Sequence, residues 1–201
     1  IDYATEHEPL GTAGGVRAAV AHSEEDVLVL SGDAVTDIDL GALMESHSRS
    51  GASFTMCLAR RNDPREFGLA QVDEQGMVTR FLEKPAWGEV FCDTVSTGIY
   101  VVSPSVLAAI PREGASDFSL HVIPNLLADG TPVHGFVADG YWEDVGDLDA
   151  YRRVQVNALE GRVNLDIPGR EVGPGLWIGS DCDISADAVL QAPAFIGARS
   201  V

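Results

Sequence analysis

Between Val27 and Gly161 the sequence alternates short apolar runs with longer segments whose apolar residues return every three or four positions. Few architectures accept that alternation: strand, helix and strand in turn build an α/β layer structure rather than a sandwich or a bundle. VLVL at 27–30 leads into SGD, the pattern of a buried strand delivering Asp33 at its carboxyl end. DLGALMESHSRSG then sets Leu40, Leu43, Met44 and His47 on one helical face, with Gly51 as a C-cap. SFTMCLA is a strand, and FGLAQV and MVTRFLE, separated by DEQG, form a hairpin. TGIYVV leads into a helix at SPSVLAAI, DFSLHVIPNLLADG is a helix kinked at Pro124, and VHGFVA and YWEDVG are strands around a glycine turn. DLDAYRRVQVNALEG closes the unit as a helix with Asp147 as N-cap and Gly161 as C-cap. The pattern predicts an α/β domain over 1–161 with a mixed, mostly parallel sheet, whose ligands belong at the carboxyl ends of strands.

Beyond Gly161 the period changes. Val172, Ile178, Ile184, Leu190 and Ile196 recur every six residues, often followed by small or polar residues. A hexapeptide period marks a β-helix, in which each repeat gives one short strand and one inward aliphatic side chain to a stacked core. Residues 162–201 are therefore expected to be the start of such a solenoid, whose open end calls for a partner or further chain.

A net charge of −18, with basic residues scattered along the chain, excludes a polyanion such as nucleic acid as partner. Phosphorylated small molecules remain open to so acidic a chain where a metal ion and a few lysines neutralise them locally. Cys57, Cys92 and Cys182 are odd in number and lack C-x-x-C spacing, which argues against a disulfide framework or zinc site and fits a reducing cytoplasm. The five histidines are dispersed, as surface or capping residues would be. Neither a membrane span nor a signal peptide is present in the pattern.

EPLGTAGG at 8–15 invites comparison with phosphate-binding loops, yet it matches neither G-x-x-x-x-G-K-[ST] nor G-x-G-x-x-G. It reads as a flexible turn before a short helix at VRAAVAHSEED. Asp33 and Asp144 stand near strand ends, where two carboxylates suit Mg²⁺, a hard cation that takes the rest of its shell from water and substrate phosphates. An isolated aspartate in either place is more simply a turn residue. Glu83 and Lys84 precede Pro85, which predicts an extended Lys84, a point charge suited to phosphate beside a carboxylate suited to sugar hydroxyls. Thr97 and Gly98 open a strand and permit close approach of a ligand, or mark only the strand's start.

Taken in order, EPLGTAG, VLSGD, FLEKP, TGIYV, P-x-L-L-A-x-G and GYWEDVGD resemble the sugar-1-phosphate nucleotidyltransferases, most closely the mannose-1-phosphate guanylyltransferase branch. The tail resembles the left-handed β-helix that many of those enzymes carry. The resemblance implies a Rossmann-like nucleotidyltransferase domain over 1–161, followed by an incomplete left-handed β-helix over 162–201. It implies that Gly11 and Thr12 lie against the nucleobase, that Asp33 and Asp144 ligate Mg²⁺, and that Glu83 and Lys84 read the sugar and its phosphate. Gly68, Thr97 and Gly98 match further sugar-pocket positions. It also implies nucleoside triphosphate and sugar 1-phosphate as substrates, GDP-mannose as product, Asp33, Lys84 and Asp144 as catalytic groups, and a cytoplasmic homo-oligomer.

Two departures qualify the implied activity. The family's G-G-x-G-[ST]-R loop has no counterpart in residues 1–201, so the first strand-helix unit is expected upstream and residues 1–201 alone are expected to turn over little or not at all. Ser96 stands where asparagine usually precedes T-G-I-Y. Thymidylyl or uridylyl transfer to glucose 1-phosphate stays open, as does a catalytically silent regulatory or assembly subunit. Retention of Asp33, Lys84 and Asp144 together favours the enzyme.

Overall fold

In chain order the elements are α1 (Gly11–Ala19), β1 (Val27–Val29), β2 (Ala34–Thr36), α2 (Leu40–Ser50), β3 (Phe54–Arg60), β4 (Gly68–Val72), β5 (Val78–Glu83) and β6 (Thr94–Val102). They continue as α3 (Pro104–Ala109), α4 (Ile123–Ala128), β7 (Val133–Val137), β8 (Trp142–Asp144), α5 (Leu148–Leu159), β9 (Arg170–Gly173), β10 (Leu176–Ile178) and β11 (Ala194–Ile196). The structure, a computed structural model, describes residues 1–20 and 23–201. It divides into two compact units, 1–32 with 39–139 and 33–38 with 140–201.

The first unit is built on a six-stranded sheet in the order β5-β4-β6-β3-β7, with β1 also paired to β6. Every residue of β3 except Arg60 is buried, which is why SFTMCLA reads as an unbroken apolar run: the strand is covered on both faces. Phe54, Met56 and Leu58 join a core with Tyr100, Phe118, Ile123 and Val133. Thr55 points the other way, where its hydroxyl meets His47 Nδ1 of α2 at 2.7 Å. His47 is thus no surface histidine; it is buried, with Asp26 Oδ2 3.3 Å from its Nε2. The rings of Phe54, Tyr100 and Phe118 form one cluster, with centroids 5.3, 5.9 and 4.9 Å apart.

The sheet is mixed as expected, but it is not mostly parallel. Only β3 and β7 pair in parallel; β1–β6, β3–β6, β4–β6 and β4–β5 are antiparallel. The register explains this: β1, β3, β4 and β7 share one direction, and β6 runs against them from the middle of the sheet. One reversed central strand converts each of its own pairings to antiparallel.

Local signals were good guides to helix ends. Asp39 caps α2 by accepting from the Ala42 amide at 2.9 Å, and Gly51 ends it at φ +67°. The helix expected over 16–26 instead occupies Gly11–Ala19, absorbing the glycine-rich stretch, and the expected portion at Ala21 and His22 lies outside the described residues. Around Pro124 the chain makes a wide π-type turn, Phe118–Val122, and α4 follows with the proline in its first turn, where a missing N–H costs nothing.

In the second unit β2 and β8 form an antiparallel ribbon, and α5 follows, capped by Asp147 through the Ala150 amide at 2.6 Å. Asp37 ties the ribbon together: its carboxylate accepts from the amides of Tyr141 at 2.6 Å and Asn164 at 2.8 Å. In the tail, β10 and β11 pair in parallel with Leu176 opposite Ala194 and Ile178 opposite Ile196. The period-six positions Ile178 and Ile196 therefore stack three repeats apart. Val172 does not join them, because β9 turns back on β10 as an antiparallel strand through Pro174 and Gly175.

Candidate functional site

The glycine-rich stretch at 8–15 has a defined job in the first unit. Leu10 offers α1 no side-chain cap, so the orphan amides of the first turn need partners from elsewhere. A loop more than a hundred residues away supplies them. The Ser116 carbonyl accepts from Ala13 and Gly14 at 2.9 and 3.0 Å, and Asp117 Oδ1 accepts from the Thr12 amide at 3.1 Å. A carboxylate there also complements the positive end of the helix. With those three amides engaged, this helix start is not a cradle for phosphate. Gly11, at φ +72°, lies so close to Ser116 that a Cβ would stand 2.6 Å from its carbonyl oxygen. The Thr12 hydroxyl is drawn into the same junction, donating to Asp117 Oδ1 at 3.1 Å and accepting from the Phe118 amide at 3.0 Å.

Gly68, Glu83 and Lys84 come together at the open end of the β4–β5 hairpin. Gly68 pairs with Glu83, and a Cβ on Gly68 would be 2.6 Å from Glu83 Oε2. Glycine is what gives that carboxylate its place. Lys84 is not extended, contrary to the expectation from Pro85: its φ is +42°. The chain must leave the ladder there while the Lys84 amide donates to the Phe67 carbonyl at 3.1 Å, and a left-handed residue meets both demands. Holding a lysine so costs about 1–2 kcal/mol, and it fixes the side chain's root relative to Glu83.

Burial pushes the Glu83 carboxyl above its ordinary value and Asp117 adds to that, while Lys84 and a hydrogen bond with Ser119 oppose them. A carboxyl raised in the fold contributes stability that is present below its unfolded value of 4.5 and lost as pH rises through the folded value. Glu83→Gln should therefore be more stable than the unaltered protein at pH 7, and the difference should vanish below about pH 4. Urea titrations at the two pH values check this, and a variant equally stable at pH 7 would count against a strained carboxylate.

Thr97 and Gly98 lie within β6, not at its start. The β3–β6 register runs Met56 to Tyr100 and then Leu58 to Ser96, so Thr97 and Gly98 form an irregularity in the ladder. Thr97 is buried and gives its hydroxyl to the Cys57 carbonyl at 2.9 Å, while Gly98, at φ +74°, stands against Ser31. Bulges of this kind bend a strand and redirect its side chains. Ser96, at the asparagine position, faces the buried Tyr100 hydroxyl at 3.1 Å.

Asp33 and Asp144 belong to the second unit. Asp33 does not end the strand before it, since β1 stops at Val29 and is only half-buried; it immediately precedes β2 instead. The ribbon sets Ala34 opposite Asp144, and the Asp33 carbonyl accepts from the Val145 amide at 2.9 Å. The two aspartates are thus diagonal neighbours at one end of the ribbon, Asp33 exposed and Asp144 half-buried. Strict pleating would send their side chains to opposite faces, but Asp33 lies in the turn before β2, so the pleat does not fix its direction. Among the described residues no group of three or more histidine, cysteine, aspartate or glutamate side chains could hold a metal ion. Two oxygen-donor carboxylates suit Mg²⁺, which keeps several waters and takes phosphate oxygens as ligands, and do not make a closed structural site.

Sequence reasoning missed Asp117 and Ser119, and it missed Asp37. Only their place in polar stretches between apolar runs could have pointed to them.

Residues 1–161 match the family model described as nucleotidyl transferase. The chain belongs to that family. It is 34% identical over 163 residues to a Mycobacterium tuberculosis mannose-1-phosphate guanylyltransferase, covering 80% of this chain and 45% of that one. It is 30% identical over 197 residues to a Synechocystis UTP–glucose-1-phosphate uridylyltransferase, covering 94% of this chain and 50% of that one. A wheat chloroplastic/amyloplastic glucose-1-phosphate adenylyltransferase small subunit is 31% identical over 79% of this chain and 38% of its own. The chain thus spans half or less of the length of these curated relatives. Among solved structures, the fold is similar to a Bacillus anthracis protein described as a glucose-1-phosphate thymidylyltransferase, in complex with sucrose, with TM-score 0.68, 21% identity and coverage of 83% of this chain and 67% of that one. HddC from Yersinia pseudotuberculosis complexed with GMP-PN gives TM-score 0.61 at 23% identity, over 74% of this chain and 62% of that one. No described helix is long and apolar enough to cross a membrane.

Proposed function

We propose that this chain is the sugar-binding and metal-binding portion of a sugar-1-phosphate nucleotidyltransferase, with GTP and mannose 1-phosphate as its substrates and GDP-mannose as its product. The observation that carries the reading is the convergence of Gly68, Glu83 and Lys84 on one hairpin end, with a lysine held in a costly backbone conformation beside a half-buried carboxylate. Similarity to the M. tuberculosis guanylyltransferase supports the base and the sugar.

In the proposed reaction a sugar-phosphate oxygen attacks the α-phosphorus of the triphosphate, a new P–O bond forms, and the bond to the β-phosphate breaks to release pyrophosphate. The nucleophile is already ionised at neutral pH, so no side chain must act as general base. Glu83 accepts hydrogen bonds from sugar hydroxyls, and Lys84 offsets charge on the sugar phosphate. Gly11 and Thr12, held by Ser116 and Asp117, offer their backbone to the base. Asp33 and Asp144 are the residues that would hold Mg²⁺, whose bound charge would lower the repulsion between the two polyanions. Residues 162–201 are proposed as the opening of a left-handed β-helix, supported by the parallel stacking of Ile178 on Ile196, and a homo-oligomer in the cytoplasm is proposed with it.

The test is pyrophosphate release by the full natural chain carrying residues 1–201, with Mg²⁺, over a panel of GTP, UTP, dTTP and ATP against mannose and glucose 1-phosphates. GTP with mannose 1-phosphate should exceed each other pair by at least about tenfold in kcat/KM. Faster release with another pair reassigns base or sugar, and no release with any pair favours a silent subunit.

A further inference from the structure

Within the first unit a cavity of about 460 Å³ opens between the end of α1 and α3, and none of the residues proposed to bind substrate lines it. That volume is within the range of sites for small molecules. Val20, Leu107 and Ile110 contribute apolar wall, and the charged residues of the lining are Arg17 and Arg112. No carboxylate lines it; Glu113, next in the chain to Arg112, lines a different cavity.

Two unpaired cations side by side are unexpected in a chain of net charge −18. Among the described residues the ion pairs engage other arginines, and neither Arg17 nor Arg112 joins one. The two are nevertheless brought together: Arg17 Nη2 donates to the Arg112 carbonyl at 2.9 Å across 95 residues of chain. The Arg17 guanidinium is not satisfied by that bond, because its Nε is shut off from solvent and has no hydrogen-bond partner. Orphaned donors of this kind are rare in folded proteins and call for an acceptor. Arg17 stands in the last turn of α1, where a positive charge suits the helix end. Arg112 is exposed and has no such role. Ser23 adds no free donor, since its hydroxyl is spent on the Glu25 carbonyl at 2.9 Å.

We propose that this cavity binds a small phosphomonoester with an apolar body, the phosphate held by Arg17 and Arg112 and the body laid against Val20, Leu107 and Ile110. A phosphomonoester carries about −1.5 to −2 charges at pH 7, which two guanidinium groups match with their planar donor forks. A monocarboxylate leaves one of them unanswered, and a ligand without an apolar body leaves the walls wet.

Calorimetric titration of the full natural chain with phenyl phosphate, inorganic phosphate, benzoate and phenol tests the site. Phenyl phosphate should bind one to one. Each of the other probes lacks either the apolar body or the double charge and should bind at least about tenfold more weakly. Arg112→Ala should weaken phenyl phosphate at least about tenfold. It keeps the carbonyl that anchors Arg17, so its melting temperature should stay within a few degrees of the parent. Arg17→Lys, which keeps the charge and loses the fork, should weaken binding less than Arg17→Ala. Pyrophosphate release by Arg112→Ala without the probe should equal that of the parent, which separates this cavity from the substrate site. Failure of phenyl phosphate to bind, binding that survives Arg112→Ala, or any of the other three probes binding as tightly overturns the proposal. Loss of pyrophosphate release in Arg112→Ala overturns it too, by assigning Arg112 to the substrate site.

Discussion

Replacement of Asp144 by alanine is expected to lower pyrophosphate release by about 10³-fold or more, equivalent to about 4 kcal/mol of lost transition-state stabilisation. Asp33→Ala should do the same. The β2–β8 register makes the two carboxylates diagonal neighbours, and among the described residues no group of three or more histidine, cysteine, aspartate or glutamate side chains could hold a metal ion. In the proposed metal site both carboxylates would share the ion, so the loss of either should be felt in full. The folding cost should be small for Asp33, which is exposed, so its melting temperature should stay within a few degrees of the parent while activity disappears. Asp33→Asn and Asp144→Asn, which keep one neutral oxygen donor, should recover part of the rate as Mg²⁺ is raised. Full activity in either alanine variant would remove that residue from the metal site.

The second large effect concerns folding. Gly11→Ala should destabilise the protein by roughly 3 kcal/mol, from two separable causes. A left-handed conformation costs an L-residue about 1–2 kcal/mol, and the new methyl would meet the backbone of Ser116, 2.6 Å from its oxygen and 2.9 Å from its carbon. Backbone cannot swing aside like a flexible side chain, and Ser116 is also the acceptor that holds Ala13 and Gly14. Gly114 supplies the control: its φ is +79°, but nothing lies within 4 Å of where its Cβ would be. Gly114→Ala should therefore show the conformational cost alone, about 1 kcal/mol. Urea midpoints of the two variants separate the causes, and equal destabilisation would mean that Ser116 yields.

These contrasts mark what a linear reading of the chain can and cannot hold. Helix ends were legible where their caps are local: Asp147 and Gly51 act within a turn of the residues they serve, whereas α5 takes Glu160 as its C-cap and Gly161 follows one residue later at φ +70°. The cap of α1 was not, because its acceptor, Asp117, is 105 residues away and nothing in EPLGTAGG encodes it. Strand existence was legible from apolar runs; strand direction was not, since reversal of β6 is decided by its neighbours, and TGIYVV looks alike running either way. Thr97 and Gly98 look like a strand opening in the sequence because the register irregularity that surrounds them depends on β3. Lys84 departs from its local preference for a related reason. Pro85 sets a preference, but the hydrogen bond to Phe67 across the hairpin overrides it. Among the candidate site residues, Gly68, Glu83 and Lys84 do meet at one hairpin end, while Asp117, whose carboxylate holds the Thr12 amide, gave no sign of itself in the sequence.

The parallel pairing of β10 with β11 sets a rule for lengths. Leu176, Trp177 and Ile178 meet residues eighteen positions further on, so the chain returns to the same side after one circuit of three hexapeptides. Loss of a single residue between Ile178 and Ile196 would slide β11 by one place and turn Ile196 outward and the exposed Phe195 inward. In the proposed β-helix a deletion of eighteen residues would preserve the phase of the stack, whereas six or twelve would keep the pattern of side chains but deliver the wrong wall. On that proposal, natural variation in this tail should come in units of eighteen, or as loops confined to the corners.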